Sequence, residues 1–509
     1  MCGIGAIING NTSQLNQLMR RIRHRGESFN EHVIVGDVAL SCNRLKIVDR
    51  INATQPLTNE SKTVFAVLNG EIYNHDELRE RLKKKGHIFQ TISDTEVLTH
   101  GYEEWGNDLP KKLDGQFAFV VYDKNRSSYL AARDHYGIKP LYSANYGKTV
   151  YFASELKQLV PFVDEVQEVL PGHYATNGGI EPYYTLPDKL VEDDVDSIAK
   201  TVNELLHEAV RKRVQTDLPL AVFFSGGLDS ALVLAIARKY HKDITAFCVG
   251  KADWESKDSD LYIAKRYCEE NGIRLIEIPS PTEEELFSQV PELVKVSESF
   301  EPNMVKGSTL SLYVSGVVKS LGFKVALCGE GADELFAGYP EFANQEPEVI
   351  HSLSREFFHN LYRTQLQRVD KSAMKHTLEM RVPFLDVALA EYSLNIPAHL
   401  KVSGNFTKCI LRKAFEGELP DYILQRQKTV FIEGAGHKGN SLQDGMFAAL
   451  AASQVSGSEL DFLSERFPEY GITTKEEALY VKHYVALGYN KAIFPGRPPV
   501  NRMHTKLSE

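Results

Sequence analysis

The chain has 509 residues, too many for one ordinary hydrophobic core, so two or three domains are expected. Its 43% hydrophobic and 25% charged residues are typical of a globular protein, and the net charge of −10 argues against nucleic acid as a bulk partner. The sequence has neither an apolar run of the roughly 20 residues that span a bilayer nor a signal peptide, which predicts a cytoplasmic protein without a membrane partner.

The second residue carries the first chemical signal. Removal of Met1 would leave Cys2 with a thiol and a free α-amine, and an amine with a pKa of about 8 can accept the thiol proton. This predicts an N-terminal nucleophile suited to amide hydrolysis; the alternative is a chance cysteine after the start methionine. The other five cysteines are scattered without a CxxC pair and are interpreted as buried apolar residues, so they indicate neither a zinc site nor disulfides.

The first third of the chain has the pattern of short strands interrupted by helices. The expected strands are Ala6–Ile8, His32–Val35, Val38–Cys42, Val64–Leu68, Phe117–Tyr122 and Ser128–Ala132, and the expected helices are Ser13–Arg23, Asp76–Lys85 and Thr95–Trp105. This order predicts a mixed domain with mostly antiparallel sheet. The run Asn177-Gly178-Gly179 and the acidic stretch Glu192–Asp196 are interpreted as a linker, which gives domains of residues 1–190 and 191–509.

Beyond this linker, strand patterns alternate with helix patterns. Apolar runs end at Phe224, Val249, Ile278 and Cys328, with amphipathic segments between them. Such alternation predicts a doubly wound parallel sheet, whose ligands bind at the carboxyl ends of the strands. After about Pro340 the chain is expected to be mainly helical.

A turn of serine and glycine follows the first of these strands directly, over Ser225–Ser230. Its glycines let the backbone approach a ligand, and its N–H groups with the following helix N-terminus form an anion site. Asp229 would repel phosphate unless it held Mg²⁺. The turn lacks the Walker lysine and is similar to the pyrophosphate-binding loop of ATP pyrophosphatases; the alternative is an ordinary turn that caps a helix.

Three carboxylates follow the strand that ends at Cys328, within Gly329-Glu330-Gly331-Ala332-Asp333-Glu334. Crowded carboxylates are costly unless they serve a cation or a proton transfer. We therefore expect Asp333 to be a magnesium ligand and Glu330 to be a general base or substrate anchor. The alternative, an acidic helix N-terminus, accounts better for Glu334.

These motifs occur together with others in a fixed order. They are Met1-Cys2-Gly3-Ile4, Arg23-His24-Arg25-Gly26, Asn43-Arg44-Leu45-Lys46-Ile47-Val48-Asp49, Asn69-Gly70-Glu71-Ile72-Tyr73-Asn74, Ser93-Asp94-Thr95-Glu96, Ala132–Tyr142, Ser154-Glu155, Ser225–Ser230, Gly329–Glu334, Arg381–Asp386 and Arg426-Gln427-Lys428. Together they resemble the glutamine-hydrolysing asparagine synthetases over nearly the whole chain, and the second domain also resembles the β-lactam synthetases in places.

For the first domain the resemblance implies an αββα glutaminase sandwich of the N-terminal-nucleophile type. Cys2 would attack the side-chain amide of glutamine, while Asn69-Gly70 would donate hydrogen bonds to the oxyanion. Arg44 would bind the α-carboxylate of glutamine, and Glu71 and Asp94 would bind its α-ammonium. Taken singly, Arg44 could be a surface charge, Asn69-Gly70 a hairpin turn and Asp94 a helix cap.

For the second domain the resemblance implies a parallel sheet of the ATP pyrophosphatase type, with added helices, that binds ATP and Mg²⁺ and adenylates a carboxylate. Nucleotide contacts are expected from Ser225, Gly226, Gly227, Asp229, Ser230, Val249, Gly329 and Glu330, and magnesium contacts from Asp229 and Asp333. Lys428 would stabilise charge on the α-phosphate, although alone it could be a solvated surface lysine. Ammonia from Cys2 would cross an internal tunnel and attack the adenylate.

The expected acceptor region departs from the family pattern. Asparagine synthetases usually carry Thr-Thr-x-Arg where this chain has Asn303-Met304-Val305-Lys306, and lysine lacks the bidentate fork of arginine for a carboxylate. Met304 and Lys306 are the predicted acceptor-binding residues. The run Glu433-Gly434-Ala435-Gly436 is similar to the β-lactam synthetases, which generally lack the N-terminal cysteine.

The expected function is that of a glutamine-dependent ligase that converts a carboxylate, with aspartate as the expected acceptor, into its amide and releases AMP, pyrophosphate and glutamate. The alternative is an amidotransferase of the same superfamily that acts on another carboxylic acid in a specialised pathway. The Ser225 loop disfavours an enzyme that uses phosphoribosyl pyrophosphate, and a non-catalytic scaffold would show erosion of one site. ATP and Mg²⁺ are the expected cofactors, and the family is often dimeric.

Overall fold

The structure is a computed structural model that describes residues 2–250, 259–427 and 446–493. It divides into two compact units, which are described in turn. The described residues of the first unit are 2–185, 374–378 and 483–493, and those of the second are 186–250, 259–373, 379–427 and 446–482. Within these ranges no helix is both long and apolar enough to cross a bilayer.

Two β-sheets form the centre of the first unit. Its strands are β1 (Gly3–Ile8), β2 (Ser28–Val35), β3 (Val38–Arg44), β4 (Leu57–Thr58), β5 (Val64–Ile72), β6 (Gly115–Asp123), β7 (Ser128–Arg133), β8 (Tyr142–Tyr146), β9 (Thr149–Ala153), β10 (Val166–Glu168), β11 (His173–Thr176), β12 (Gly179–Pro182) and β18 (Ala492–Ile493). One sheet has the order β18-β10-β8-β9-β1-β3-β2 and the other β12-β11-β7-β6-β5-β4. All neighbours are antiparallel except β10 and β18.

Strand β5 shows how this sequence places its side chains. Phe65 and Val67 join Ile4 in the core cluster shared by both sheets, whereas Val64 and Leu68 join a cluster with residues of the helices. This alternation is the period of two expected for a strand that is buried on both faces. Asn69 continues the face of Phe65 and Val67, so its side chain points toward β1.

The helices of the first unit are α1 (Leu15–Arg20), α2 (His75–Lys83), α3 (Glu96–Trp105) and α4 (Leu156–Leu159). The first three lie where the sequence predicts helices. The antiparallel sheets between helical segments confirm the expected fold class, an αββα sandwich, for this part of the chain.

Two of the Asn-Gly pairs lie in other structural settings than the sequence alone suggests. Asn177-Gly178 was expected in a linker, but it forms the turn between β11 and β12, which pair antiparallel within the first unit. Asn69-Gly70, which alone is compatible with a hairpin turn, lies inside β5 and pairs with Phe117 and Ala118 of β6. The hairpin preference of Asn-Gly therefore holds for one pair and is overridden by sheet packing for the other.

The second unit contains the remaining strands and most of the helices. Its strands are β13 (Leu220–Phe223), β14 (Ile244–Gly250), β15 (Arg274–Pro279), β16 (Val325–Leu327) and β17 (Glu379–Arg381). Its helices are α5 (Val195–Arg213), α6 (Leu228–Tyr240), α7 (Asp260–Glu270), α8 (Glu283–Ser288), α9 (Val290–Ser297), α10 (Pro302–Ser320), α11 (Ala332–Phe336), α12 (Pro347–Asn360), α13 (Gln365–Lys375), α14 (Val387–Leu394), α15 (Cys409–Ala414), α16 (Asp421–Leu424), α17 (Met446–Gln454), α18 (Gly457–Arg466) and α19 (Lys475–Ala486).

The five strands of the second unit form one fully parallel sheet with the order β15-β14-β13-β16-β17. Chain order reverses between β13 and β16, so the segments that follow these two strands meet at one edge of the sheet. The predicted doubly wound parallel sheet is confirmed. Strand β17 is an addition to the prediction, since its three residues are too short to give a periodic signal.

Candidate active sites

Cys2 directly precedes β1 and lies in the core between the two sheets, with 5% of its surface exposed. Its backbone N–H donates to Asn69 Oδ1 at 3.2 Å, and Arg25 Nε donates to its carbonyl at 3.0 Å. Gln55 Nε2 lies 4.0 Å from Cys2 Sγ, and Gln55 Oε1 accepts from the N–H of Leu68 at 2.7 Å. These contacts fix the thiol against β5. Gln55 was not among the predicted site residues.

Asn69 offers a donor that fits a developing oxyanion. Its side chain is fully buried, and its Nδ2 has no hydrogen-bond partner within the described residues. A buried donor without a partner is costly, so its position beside Cys2 indicates that a substrate atom completes it. The neighbouring Gly70 has a φ of 148°, and a Cβ there would lie 2.0 Å from the carbonyl oxygen of Gln116, so glycine alone fits.

A second thiol activates Cys2. The pKa of Cys2 is lowered to about 7. The hydrogen bond with Cys42 is the largest cause, the charge of the chain N-terminus, the Leu45 backbone and the charge of Arg44 act in the same direction, and burial acts against them. Burial holds the pKa of Cys42 well above its ordinary value, so Cys42 remains a thiol and donates to the Cys2 thiolate. Cys42 pairs with Ile4 across β1 and β3, which places it on the face that Cys2 shares. The sequence interpretation of Cys42 as an inert apolar residue was therefore incomplete.

Arg44 is buried at the end of β3 and contacts the loop that follows. Its Nη2 donates to the carbonyls of Val48 at 2.8 Å and Asp49 at 2.9 Å, and its Nη1 donates to the carbonyl of Ala53. It is not the surface charge that was the alternative interpretation. A guanidinium has five N–H donors, so these three bonds leave capacity for a ligand.

The two carboxylates predicted to bind an ammonium lie together at the end of β5. Asp94 Oδ2 accepts from the N–H of Ile72 at 3.1 Å, and Asp94 Oδ1 accepts from the N–H of Thr95 at 2.8 Å. Glu71 precedes Ile72 and, like Asp94, is buried. Two neighbouring buried carboxylates concentrate negative charge, which is the environment that a cationic group of a ligand requires.

A network of ion pairs fixes the backbone of Cys2. Arg25 Nη1 donates to Glu155 at 2.8 Å while its Nε holds the Cys2 carbonyl. Burial alone would raise the pKa of Glu155, but His24, Lys157 and Arg25 hold that pKa well below its ordinary value. The two motifs that contain these residues had no predicted role, and the structure assigns them to positioning Cys2.

In the second unit, a cavity of about 1230 Å³, including its open mouth, lies at the carboxyl ends of β13 and β16. Among the predicted residues its lining contains Ser225, Gly227, Asp229, Ser230, Val249, Gly329, Glu330 and Asp333. Gly226 lies in the same turn with a φ of 70°. The structure thus brings the predicted nucleotide-binding residues to one place.

Serine side chains of the Ser225–Ser230 turn accept hydrogen bonds from the backbone of the same turn. The N–H of Ser225 donates to Ser230 Oγ at 3.2 Å, and the N–H of Gly227 is 3.4 Å from Ser225 Oγ. A Cβ on Gly329 would lie 2.9 Å from Cβ of Asp229, so the two loops can approach only because residue 329 is glycine. This packing sets the N-terminus of α6 at the cavity, where it favours an anion.

Lys408 stands between the two predicted magnesium ligands. Its Nζ lies 2.7 and 2.6 Å from the two carboxylate oxygens of Asp229 and 2.6 Å from Asp333 Oδ1. Asp229 and Asp333 therefore contact the same cationic group, the ammonium of a buried lysine. Their predicted role as magnesium ligands stays a prediction. Lys408 is about 180 residues from Asp229 in sequence and was not predicted; a single lysine in a helical region carries no motif.

The two glutamates of the acidic segment after β16 lie in different environments. Glu330 Oε1 accepts from Arg368 Nη2 at 2.6 Å. Burial, together with the charge of Asp333, raises the pKa of Glu334 to about 7, and the Tyr339 hydroxyl donates to Glu334 at 2.5 Å. Glu330 thus faces the cavity beside a cation, whereas Glu334 belongs to the interior.

Arg426 ties the nucleotide turn to α7. Its Nη1 donates to the Ser225 carbonyl at 3.2 Å, and its Nη2 donates to Asp260 at 2.7 Å. The predicted charge-stabilising Lys428 lies outside the described residues, as do 433–436 of the β-lactam-like run.

The two predicted acceptor residues lie on the first turns of α10 and are buried. Lys306 Nζ is 3.1 Å from Glu476 Oε1 of α19, and both side chains are less than 10% exposed. The cavity lining takes Ser311, Val314 and Ser315 from α10, but neither Met304 nor Lys306. The structure therefore does not bring Met304 and Lys306 to the nucleotide cavity.

Comparison with known proteins agrees with this geometry. The family model described as a glutamine amidotransferase domain matches residues 1–212, and the asparagine synthase model matches residues 201–356 and 343–487. A probable glutamine-hydrolysing asparagine synthetase of Dictyostelium discoideum is 34% identical over 98% of this chain and 94% of that protein. Asparagine synthetase 2 of Arabidopsis thaliana is 34% identical over 98% of this chain and 90% of its own length, and the Zea mays enzyme is 33% identical over 95% and 85%. The chain belongs to the glutamine-hydrolysing asparagine synthetase family.

Proposed function

We propose that this protein is an ATP-consuming ligase that transfers the amide nitrogen of glutamine to aspartate and forms asparagine. The observation that carries the proposal is a Cys2 thiol with a pKa of about 7 beside Asn69 Nδ2, a donor without a hydrogen-bond partner in the described part of the chain. Family membership supports the second half of the reaction, because the full-length relatives carry the name asparagine synthetase.

In the glutaminase half, the Cys2 thiolate attacks the side-chain carbonyl carbon of glutamine. Asn69 Nδ2 and the backbone of Gly70 donate to the oxygen as it gains charge. The C–N bond then breaks, the nitrogen leaves as ammonia after protonation, and water hydrolyses the thioester to glutamate. Arg44 would hold the α-carboxylate, and Glu71 with Asp94 would hold the α-ammonium.

In the synthetase half, a carboxylate oxygen of the acceptor attacks the α-phosphorus of ATP and pyrophosphate leaves. Ammonia then attacks the acyl carbon and AMP leaves. The Ser225–Ser230 turn with the N-terminus of α6 would bind the pyrophosphate. Glu330 would act as the base or as the substrate anchor, and Lys428 would stabilise charge on the α-phosphate.

Magnesium fits the donor set at this cavity. Asp229 and Asp333 already point at one cation, and carboxylates are ligands that Mg²⁺ accepts together with phosphate oxygens. The ion would neutralise charge on the departing pyrophosphate. We propose that Lys408 Nζ gives up one carboxylate when the nucleotide and its ion bind, and then contacts a phosphate oxygen.

The roles of the two domains, the cellular setting and the oligomeric state are also proposals. We assign the glutaminase reaction to residues 1–190 and the synthetase reaction to residues 191–509, and the division of the described chain after Thr185 supports this assignment. Six free cysteines support a cytoplasmic, reducing setting. A homodimer is proposed from the family alone.

The test supplies ATP, Mg²⁺ and glutamine with aspartate, glutamate, β-alanine or a longer amino acid, and follows pyrophosphate and amide formation. We expect pyrophosphate and asparagine with aspartate only. Pyrophosphate with another acid but not with aspartate would refute the acceptor, and its absence with every acid would refute the ligase reaction for these substrates.

A further inference from the structure

A cluster of two histidines and two glutamates lies in the first unit, away from Cys2. Its members are Glu60 in the loop before β5, His87 between α2 and α3, and His100 and Glu103, which are neighbours on α3. One ligand atom of each residue lies within 4.8 Å of the other three. The sequence analysis assigned no role to any of these residues.

Three of the six distances within the cluster are close to the edge of a metal coordination tetrahedron, and the other three are no longer than 4.8 Å. His100 Nδ1 is 3.3 Å from Glu60 Oε2 and 3.8 Å from Glu103 Oε2, and His87 Nδ1 is 3.7 Å from the same Glu103 oxygen. With zinc–ligand bonds of about 2.1 Å, two ligands of a tetrahedral ion are separated by about 3.4 Å.

His100 provides an independent observation. Its side chain is completely buried, and neither ring nitrogen makes a hydrogen bond in the part of the chain that the structure describes. The contact of its Nδ1 with Glu60 is short enough for a hydrogen bond but has the wrong direction. Two ligands of one ion show this geometry, because both point at the ion instead of at each other.

Three of the four residues, Glu60, His87 and Glu103, are oriented by a hydrogen bond through their other polar atom. Glu60 Oε1 is 3.4 Å from the donor N–H of Ile88, and Glu103 Oε1 accepts from Asn59 Nδ2 at 2.7 Å. The histidines face carboxylates with Nε2, which lies 3.1 Å from Glu104 for His87 and 3.6 Å from Glu96 for His100. For His87, an Nε2–H directed to Glu104 leaves the lone pair on Nδ1, which is the arrangement of metal-bound histidines. Nε2 of His100 is too far from Glu96 for a hydrogen bond.

We propose that Glu60, His87, His100 and Glu103 form a structural zinc site in the glutaminase unit. Two neutral imidazoles and two carboxylates give a neutral site with Zn²⁺, and this donor set with tetrahedral spacing suits zinc better than Mg²⁺ or Ca²⁺, which prefer oxygen ligands. The ion would join two loops to α3, which begins directly after Asp94 and Thr95.

The test is a zinc titration of the full-length, chelator-treated and desalted protein against a chromogenic chelator. We expect one zinc ion per chain with a Kd below about 1 μM, and a Tm that rises with zinc. The titration is repeated with Cys2→Ala, because a thiolate also binds zinc; the stoichiometry must persist there.

The variants His87→Gln and Glu103→Gln change partly exposed residues and preserve size. We expect each to weaken zinc binding at least tenfold and to abolish the rise in Tm. The matched controls, His32→Gln and Glu80→Gln, lie outside the cluster and should bind zinc as the parent does. Absence of stoichiometric zinc, its loss in Cys2→Ala, or undiminished binding in both cluster variants would each overturn the proposal.

Discussion

The glutaminase site leaves a donor unpaired, whereas the nucleotide cavity pairs its charges internally. Asn69 Nδ2 has no partner within the described residues, and the Cys2 thiol beside it is already acidic. In the cavity, Lys408 pairs with both Asp229 and Asp333, which leaves one negative charge, and Arg368 pairs with Glu330. The first site therefore holds its proposed oxyanion donor in place without substrate, whereas the nucleotide binding proposed for the second would require its ion pairs to exchange.

The two sites therefore differ in how much the protein must change when substrate binds. At the glutaminase site, the oxyanion would accept a hydrogen bond from Asn69 Nδ2, and this stabilises the transition state without any rearrangement of the protein. Replacing Lys408 between two carboxylates requires a new cation, so nucleotide and metal must bind together. The difference predicts that substitutions of Asn69 and Cys42 beside the thiol act on kcat, while those in the second unit act on substrate binding or on stability.

The largest effect is expected for Asn69→Ala. Removal of one oxyanion donor should lower the kcat of glutamine hydrolysis by about 10² to 10³, with a small change in KM for glutamine. The measurement is glutamate release under saturating glutamine. Asparagine formation from free ammonia should be preserved, and Asn145→Ala, at an exposed position of β8, is the control. A normal kcat in Asn69→Ala would remove the contrast between the two sites.

The next effect concerns the buried pair of Lys306 and Glu476. Removal of one charge from such a pair costs about 3 kcal/mol, so Glu476→Gln should lower the denaturant midpoint of the second unit. The double variant Lys306→Met with Glu476→Leu should recover most of this stability, because a packed apolar pair avoids the cost of burying charge. The exposed pair of Lys482 and Glu459 is the control, and Glu459→Gln should leave the midpoint unchanged.

The double variant also decides what Lys306 does. If the lysine only stabilises the fold, the double variant keeps the parent KM for aspartate. A stable double variant with a strongly raised KM for aspartate would show that Lys306 contacts the acceptor, as the sequence analysis predicted.

A smaller effect is expected for Cys42→Ala. The hydrogen bond from Cys42 stabilises the Cys2 thiolate, so its loss should raise the pKa of Cys2 from about 7 toward its ordinary value. The thiolate is the reactive form, and its fraction at pH 7 falls about fivefold for the first unit of that rise and about tenfold for the next. Glutaminase activity should therefore drop about tenfold at pH 7 and recover at alkaline pH. The control Cys268→Ala changes a cysteine of α7 and should keep the parent pH profile; an unshifted profile in Cys42→Ala would contradict the role of Cys42.

Local sequence signals were sufficient for much of this protein. The Cys2 nucleophile, the Ser225–Ser230 turn and the parallel sheet follow from residues that are close together in the chain. Gly70 and Gly329 were named from the family resemblance, and the structure shows that both lie where a Cβ would clash with the neighbouring chain.

The missed residues act through contacts between distant segments. Lys408 reaches Asp229 from a helical region without a motif, and Cys42 reaches Cys2 only through the pairing of β1 with β3. Lys306 was expected at the acceptor because it stands where the family usually carries an arginine, but its partner Glu476 is 170 residues away in the chain. Sequence patterns show which groups are present, whereas the pairing of buried charges depends on the tertiary fold.

The central claim is that Cys2 serves glutamine hydrolysis alone and that the second unit makes the amide from any ammonia. The direct test is Cys2→Ala, assayed for asparagine with glutamine and, separately, with ammonium chloride. We expect loss of the glutamine-dependent reaction and parent-level synthesis with ammonia. Loss of both reactions in a variant that keeps the parent Tm, or retention of the glutamine-dependent reaction, would contradict the account.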